Sequence, residues 1–285
     1  MAVGRRFVTW ALAHAESAGA ASVRRVPLLG GVVHRASQKL SPPGRRDWVT
    51  VRSGPGAGLD VLLDTRFEAI VWKGEYEREM LDLLPALLRA GDVVYDVGAH
   101  LGLFSLIAAR LVAPGGSVFA FEPDDRNLAR IHDHLERNTA TNIEVVPLAA
   151  WSANGSVSFV EDTRPGGSQG KATFEPGTAV VQTITLDDFA VTHPAPSLVK
   201  IDVEGGEEEV LRGAQSVLAG AHPIVLCEVH LEGGGEAERL VRITDFLTER
   251  GYDVEQLTPA LDPTHLLARP KESVGHDGAG SKGPR

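Results

Sequence analysis

Residues 93–111 read VVYDVGAHLGLFSLIAARL. Five β-branched, aromatic or acidic residues run into a glycine-punctuated turn, Asp96 to Gly102, and an apolar pattern with helical spacing follows over about 103–112. A short, nearly continuous apolar run is what a strand buried on both faces requires, so the stretch reads as strand, tight turn and helix. The pattern then repeats. Strand-like runs stand at 117–122 (SVFAFE), 143–150 (IEVVPLAA), 198–203 (LVKIDV) and 224–230 (IVLCEVH), with helical patterns at about 125–138, 206–219 and 235–250. Apolar strands alternating with amphipathic helices predict an α/β domain over residues 91–268, doubly wound around a mostly parallel sheet.

Residues 47–90 predict a small edge hairpin, 48–53 with 59–64 around Gly54-Pro55-Gly56-Ala57-Gly58. A helical segment over 75–89, with Pro85 as a kink or as a break between two short helices, completes this N-terminal extension. Residues 155–186 interrupt the βα alternation with strand-like SVSFV and VVQTITL around the glycine-rich loop 166–170, and read as a β insertion able to cover a site. Residues 1–46 carry eight basic side chains against the single acid Glu16, a basic arm on an acidic body. Residues 269–285 are poor in apolar residues and read as a disordered tail.

The whole chain has 285 residues, 28 Lys+Arg and 38 Asp+Glu, a formal charge of −10, which argues against a general nucleic-acid binder. With 43% hydrophobic residues it can bury a full core. The lone Cys227 forms no internal disulfide, and no Cys/His spacing suits structural zinc. No stretch reaches the roughly 18 apolar residues of a membrane span. Arg5 and Arg6 precede an apolar run that His14, Glu16 and Ser17 break too early for a secretory signal, so the expected compartment is the cytoplasm.

Ligands of doubly wound sheets bind beyond the carboxyl ends of the strands. After the first strand stands Asp96-Val97-Gly98-Ala99-His100-Leu101-Gly102, where Gly98 admits a close ligand, Gly102 allows close helix packing and the opening helix amides favour an anionic group. A dinucleotide site would place glycine at position 96. The carboxylate there suits instead a cofactor bearing an ammonium and a sulfonium, as S-adenosylmethionine does. The second strand ends in Phe121-Glu122-Pro123, with an acid where ribose hydroxyls are commonly accepted, and the third in Ala149-Ala150-Trp151, where small side chains let adenine lie flat.

These residues resemble the FkbM family of S-adenosylmethionine-dependent methyltransferases. The resemblance rests on Gly74-Glu75-Tyr76-Glu77, the loop 96–102, Phe121-Glu122-Pro123, Thr185-Leu186-Asp187-Asp188, and Lys200-Ile201-Asp202-Val203-Glu204-Gly205 followed by Glu207. His100 departs from the asparagine usual at that place. The resemblance implies a Rossmann-like class I methyltransferase sheet of seven strands, one antiparallel, whose last two strands come from 252–257 and 265–268. It further implies that Tyr76 and Glu77 touch the amino-acid end of the cofactor, and that the acceptor atom is oxygen, although nothing in the residues excludes nitrogen.

Methyl transfer to a hydroxyl needs an aligned acceptor and a proton acceptor. Asp202 with Glu204, and Glu228 with His230, lie two apart on strand faces, and His230 is the expected base with Asp202 or Glu204 orienting it. A divalent ion on Asp202, Glu204 and a nearby acid is a second, less favoured route, and no metal ligand set is assigned. Lys200 reads as structural, His132 and His134 as solvated surface, and Trp151 as core. The expected activity is O-methylation of a hydroxylated small molecule, a sugar or polyketide-type metabolite. A non-catalytic adenosine-ligand-binding regulator and a NAD-dependent oxidoreductase are the alternatives, and the residues do not specify an oligomeric state.

Overall fold

A computed structural model describes residues 46–64, 68–160, 171–173, 179–230, 236–258 and 263–271. The basic arm up to residue 45, the loop 166–170 and the tail beyond 271 lie outside the described residues. Seven strands form the central sheet: β3 (Val93–Val97), β4 (Ser117–Phe121), β5 (Ile143–Val146), β10 (Leu198–Ile201), β11 (Ile224–Val229), β12 (Tyr252–Gln256) and β13 (Thr264–Pro270), in the order β12-β13-β11-β10-β3-β4-β5. β13 alone runs antiparallel to its neighbours, so the doubly wound sheet with one antiparallel strand near its end is as expected. β13 also extends through Arg269 and Pro270, two residues into the stretch read as tail.

The alternation of side chains along β3 divides the core. Tyr95 and Val97 face one layer with Phe119, Phe121 and Phe189, whereas Val94 faces the other with Val118, Leu198, Leu226 and Leu267. The first layer is covered by α6 (Leu186–Thr192), α7 (Glu207–Arg212), α8 (Gln215–Gly220) and α9 (Glu236–Glu249), the second by α4 (Leu103–Val112) and the N-terminal segments. Helix α5 (Asp125–Arg137) packs on β5 and on the hairpin strand β2 (Asp60–Leu63). None of the helices in the described residues is long and apolar enough to cross a membrane.

Several elements differ from the sequence reading. The run 143–150 is not one strand: Pro147 ends β5, and β6 (Ala149–Ala150) joins a second sheet, ordered β6-β9-β7-β8, with β7 (Gly155–Val160), β8 (Lys171–Thr173) and β9 (Ala179–Ile184). The helical stretch 206–219 breaks at Gly213 into α7 and α8, and the backbone of Trp151 lies where a side chain at 213 would stand. The stretch 75–89 takes the second of its two expected forms, two short helices, α2 (Arg78–Leu81) and α3 (Leu84–Leu87), with Pro85 in the first turn of α3 and not at the break itself; α1 (Ala69–Lys73) precedes them. The hairpin β1 (Asp47–Thr50) with β2 (Asp60–Leu63) forms a separate two-stranded sheet and not an edge of the main one.

The reading of His134 as surface is overturned. The side chains of Asn127, Arg130, Ile131 and His134 recur at helical spacing and all are buried. His134 bridges two backbone groups: its Nε2 accepts the N–H of Leu62 at 2.7 Å and its Nδ1 donates to the carbonyl of Leu101 at 2.7 Å. Arg130 donates to the carbonyl of Leu62 and pairs with Glu68 at 2.9 Å. The inner face of α5 is polar because it meets backbone edges, and a hydrophobicity pattern cannot register that. His132 is exposed, as read.

Burial pulls the His134 imidazole down to about 4. Its neutral form therefore stabilises the fold fully above the free-histidine value of about 6.5, and that contribution is lost as pH falls from there toward 4. His134→Phe is expected to cost about 3 kcal/mol at pH 7.5, leaving an amide and a carbonyl unpaired. In urea unfolding the gap to the parent protein should narrow by about 2 kcal/mol at pH 5, and an equal gap at both pH values would contradict the assignment.

Candidate active site

The strand order reverses direction between β3 and β10, so the loops after these two strands part company and leave a crevice. Gly98 follows β3 and Asp202 follows β10, and the two are in contact: the Asp202 N–H donates to the Val97 carbonyl at 3.0 Å. Gly98 has φ +80°, and a Cβ there would fall 1.7 Å from the Asp202 carbonyl oxygen, so only glycine permits the approach. The cleft encloses about 610 Å³ including its mouth. Its walls are Tyr76, Val97, Gly98 and His100 on one side, Phe121, Glu122, Pro123 and Asn127 beyond β4, Ala149, Ala150, Trp151 and Phe159 from the second sheet, and Asp202, Val203 and Glu204 beyond β10.

Beneath this cleft Lys200 is buried. It stands directly opposite Asp96 across the β10–β3 pairing. Its ammonium donates to the Gly98 carbonyl at 2.8 Å and to Asp202 at 3.2 Å, and lies 3.5 Å from Asp96. Burial disfavours its charge, yet Asp202 and Asp96 hold its pKa above the usual lysine value. Asp96 also accepts a hydrogen bond from Ser105 in α4. Asp96 is thus fully buried below the floor and does not line the cleft, because period two turns its side chain toward Lys200 and α4.

The loop amides are committed internally. Gly98 and Ala99 both donate to the Phe121 carbonyl, at 3.0 and 2.9 Å, and His100 donates to Glu122 Oε2 at 2.7 Å. The three turn amides, which precede the opening amides of α4, are therefore committed within the fold. Ala99 packs with Ala120 and Ile131, and Gly102 caps α4 in the left-handed region; neither lines the cleft. Glu122 accepts the Asp124 N–H as well, at 2.9 Å, and burial pushes its carboxyl up to about 7 against the pull of these amides. Burial, reinforced by the charge of Arg130, draws His100 down to about 4, so its ring is neutral at physiological pH.

Three of the non-glycine residues with positive φ gather here: Glu77 at 42°, His100 at 53° and Glu204 at 53°. Such conformations cost free energy and persist where surrounding contacts impose them. Glu77 hydrogen-bonds Tyr76, and burial together with Asp202 pushes its carboxyl up to about 8. Burial likewise raises Tyr76.

The acids and histidine at the ends of β10 and β11 do converge, but His230 is not among the residues lining the cleft. Its Nδ1 lies 3.0 Å from Glu207 Oε1, while its Nε2 faces Glu204 at 3.4 Å, Glu228 at 3.5 Å and Asp202 at 3.9 Å. Burial disfavours its charge, but the hydrogen bond to Glu207 and the surrounding carboxylates raise it to about 9, so by itself it already holds a proton at neutral pH. That conflicts with a role as the direct base. Glu204, in contrast, is raised by burial and opens to the cleft.

Two participants went unassigned in the sequence. Glu207, wholly buried at the start of α7, holds both His230 and the Gly205 N–H. His265 in β13 lies opposite Glu228 in register and approaches its Oε2 at 3.1 Å. The acid at 207 was visible only as part of a motif, and no local signal marked His265. Trp151 is core, as read, and also walls the cleft; Gly206 lies so close to its ring that a Cβ would come within 2.6 Å.

Gly98→Ala is expected to destabilise the protein by more than about 3 kcal/mol, through both the positive φ and the overlap with Asp202. A urea midpoint unchanged from the parent would show that the two loops separate freely.

Comparison with known proteins places this geometry. The model of the methyltransferase FkbM domain matches residues 96–254. Hexuronic acid methyltransferase AglP of Haloferax volcanii is 28% identical over 200 residues, 65% of this chain and 80% of that protein. The 31-O-demethyl-FK506 methyltransferase FkbM of Streptomyces tacrolimicus is 30% identical over 189 residues, 54% of this chain and 72% of that one. A solved methyltransferase FkbM from Methylobacillus flagellatus aligns with a TM-score of 0.48 at 21% identity, over 64% of this chain and 45% of that protein, so this chain spans less than half of its length. With the domain model covering more than half of its residues, the chain belongs to the FkbM methyltransferase family.

Proposed function

We propose that the protein is an S-adenosylmethionine-dependent O-methyltransferase whose acceptor is a hydroxyl of a small molecule, a sugar or polyketide-type metabolite. The observation that carries this reading is the state of the glycine loop. With the Gly98, Ala99 and His100 amides bonded to Phe121 and Glu122, the turn offers no cradle of these amides to a pyrophosphate, while carboxylates ring the cleft. That donor set fits a cationic adenosine cofactor and speaks against NAD. The named activities of the two relatives support a sugar or polyketide acceptor.

S-adenosylmethionine, when bound, supplies a methyl group activated on a sulfonium. Glu122 would hold the ribose hydroxyls, and Ala149, Ala150 and Trp151 would form a flat apolar floor for adenine. Tyr76, Glu77 and Asp202 would face the amino-acid end, with Pro123 at the rim. Asp96, Ala99 and Gly102 act through the loop: Asp96 anchors Lys200, which holds the Gly98 carbonyl in place. Glu204, at the cleft wall, takes the proton of the acceptor hydroxyl, with the His230 imidazole behind it facing Glu204 and Asp202 as a neighbouring charge.

Titration calorimetry with S-adenosylmethionine, S-adenosylhomocysteine and NAD tests the cofactor, with binding of the first two and not NAD expected. Glu122→Ala should weaken S-adenosylhomocysteine at least tenfold. Glu204→Gln should leave that affinity within twofold while lowering turnover of a hydroxylated acceptor by about 10² or more. Binding of NAD alone, or full turnover by Glu204→Gln, would overturn the corresponding part of the reading.

A further inference from the structure

Among the described residues, Asp202, Glu228 and His230 each present a ligand atom within 4.8 Å of the other two. The individual spacings are informative. Glu228 Oε1 and Asp202 Oδ1 stand 3.5 and 3.9 Å from His230 Nε2, with Glu204 Oε2 at 3.4 Å. These distances exceed good N–H···O hydrogen bonds. The 3.4 and 3.5 Å spacings fall within the separation of about 3 to 3.6 Å between neighbouring oxygen and nitrogen ligands around an ion bound at about 2.1 Å, and Asp202 at 3.9 Å stands just beyond it.

The surroundings are those of a ligand set held from behind. Glu207 accepts from His230 Nδ1, which turns Nε2 toward the carboxylates, and His265 holds the far oxygen of Glu228. Glu207 is completely buried and directed at His230, and its Oε2 has no hydrogen-bond partner among the described residues. Four carboxylates, Asp202, Glu204, Glu207 and Glu228, thus share one corner in which Lys200 is already engaged by Asp96 and Asp202 and the proton on His230 offsets one further charge, so the acids outnumber the cations among the described residues, and an ion bound there displaces the Nε2 proton. Uncompensated carboxylates in such a place are costly, and a dication offsets them.

We propose that Asp202, Glu228 and His230 form a binding site for a divalent cation of the manganese or magnesium type. Two carboxylates and an imidazole suit Mn²⁺ better than Mg²⁺, which prefers oxygen alone. Because Asp202 lines the cleft, the ion lies where it can bind an acceptor hydroxyl and acidify it, the proton passing to Glu204. That consequence rests on the methyltransferase reading; the ion site does not. It also selects acceptors with a second oxygen beside the reacting hydroxyl, able to chelate the ion.

The test uses the full chain, stripped with chelator and titrated with MnCl₂ without cofactor or acceptor. Loss of the free Mn²⁺ paramagnetic signal should report one tight ion per chain, and pulsed spectroscopy should show ¹⁴N coupling from an imidazole ligand. Asp202→Asn, Glu228→Gln and His230→Gln should each weaken binding at least tenfold, and the surface variant Glu208→Gln should not. The ¹⁴N signal of the parent protein decides the matter even where a variant fails to fold. No binding at 1 mM Mn²⁺, binding without ¹⁴N coupling, or tight binding that survives all three substitutions overturns the proposal. S-adenosylhomocysteine binding by the same metal-free protein keeps this result separate from that of the proposed function.

Discussion

The ammonium of Lys200 sits where the sheet changes direction, and three groups from different parts of the chain depend on it. It neutralises Asp96 at the end of β3, engages Asp202 after β10 and binds the carbonyl of Gly98 between them. Without that charge, two carboxylates would face each other in a water-poor interior, a situation costly enough to push the loops apart. With it, the glycine loop and the β10 loop close to backbone contact and define one wall of the cleft. A residue that looks structural by position thus sets the geometry of the cleft.

The motifs that carry the family resemblance divide into cleft-lining residues and scaffold once their contacts are known. Thr185 caps α6 by accepting the Asp188 amide, and Asp187 accepts the amides of Ser216 and Val217 at the start of α8. Neither touches the cleft. Gly206 and Gly213 exist in their places because Trp151 packs against both. The second sheet is accordingly no loose cover at its described strands: Ala149, Ala150 and Phe159 are buried and wall the cleft.

Electrostatics at the far end of β10 and β11 depend on a convergence that involves four separate elements. His230 takes its environment from Asp202, Glu204, Glu207 and Glu228, and Glu228 in turn from His265 on the antiparallel strand. Each side chain alone is an ordinary surface acid or histidine. Together, partly or wholly shielded from water, they form a strongly negative corner beside a carboxylate-lined cleft, well suited to cationic ligands and poorly suited to phosphate.

The sequence by itself determined the doubly wound sheet, the glycine turn, Glu122 at the end of β4 and the acids after β10. Those features are local, expressed in hydrophobic period and in residues adjacent along a strand end. It could not reveal that α5 turns a polar face inward, since His134 and Arg130 satisfy backbone groups of a hairpin about 70 residues away. Nor could it place Asp96 below the floor rather than in the cleft, or find His265, because the register of β10 on β3 and of β13 on β11 decides which side chains meet. Register is set by the packing of whole layers, so the partners of a charged side chain, and with them its protonation and its role, belong to the tertiary structure.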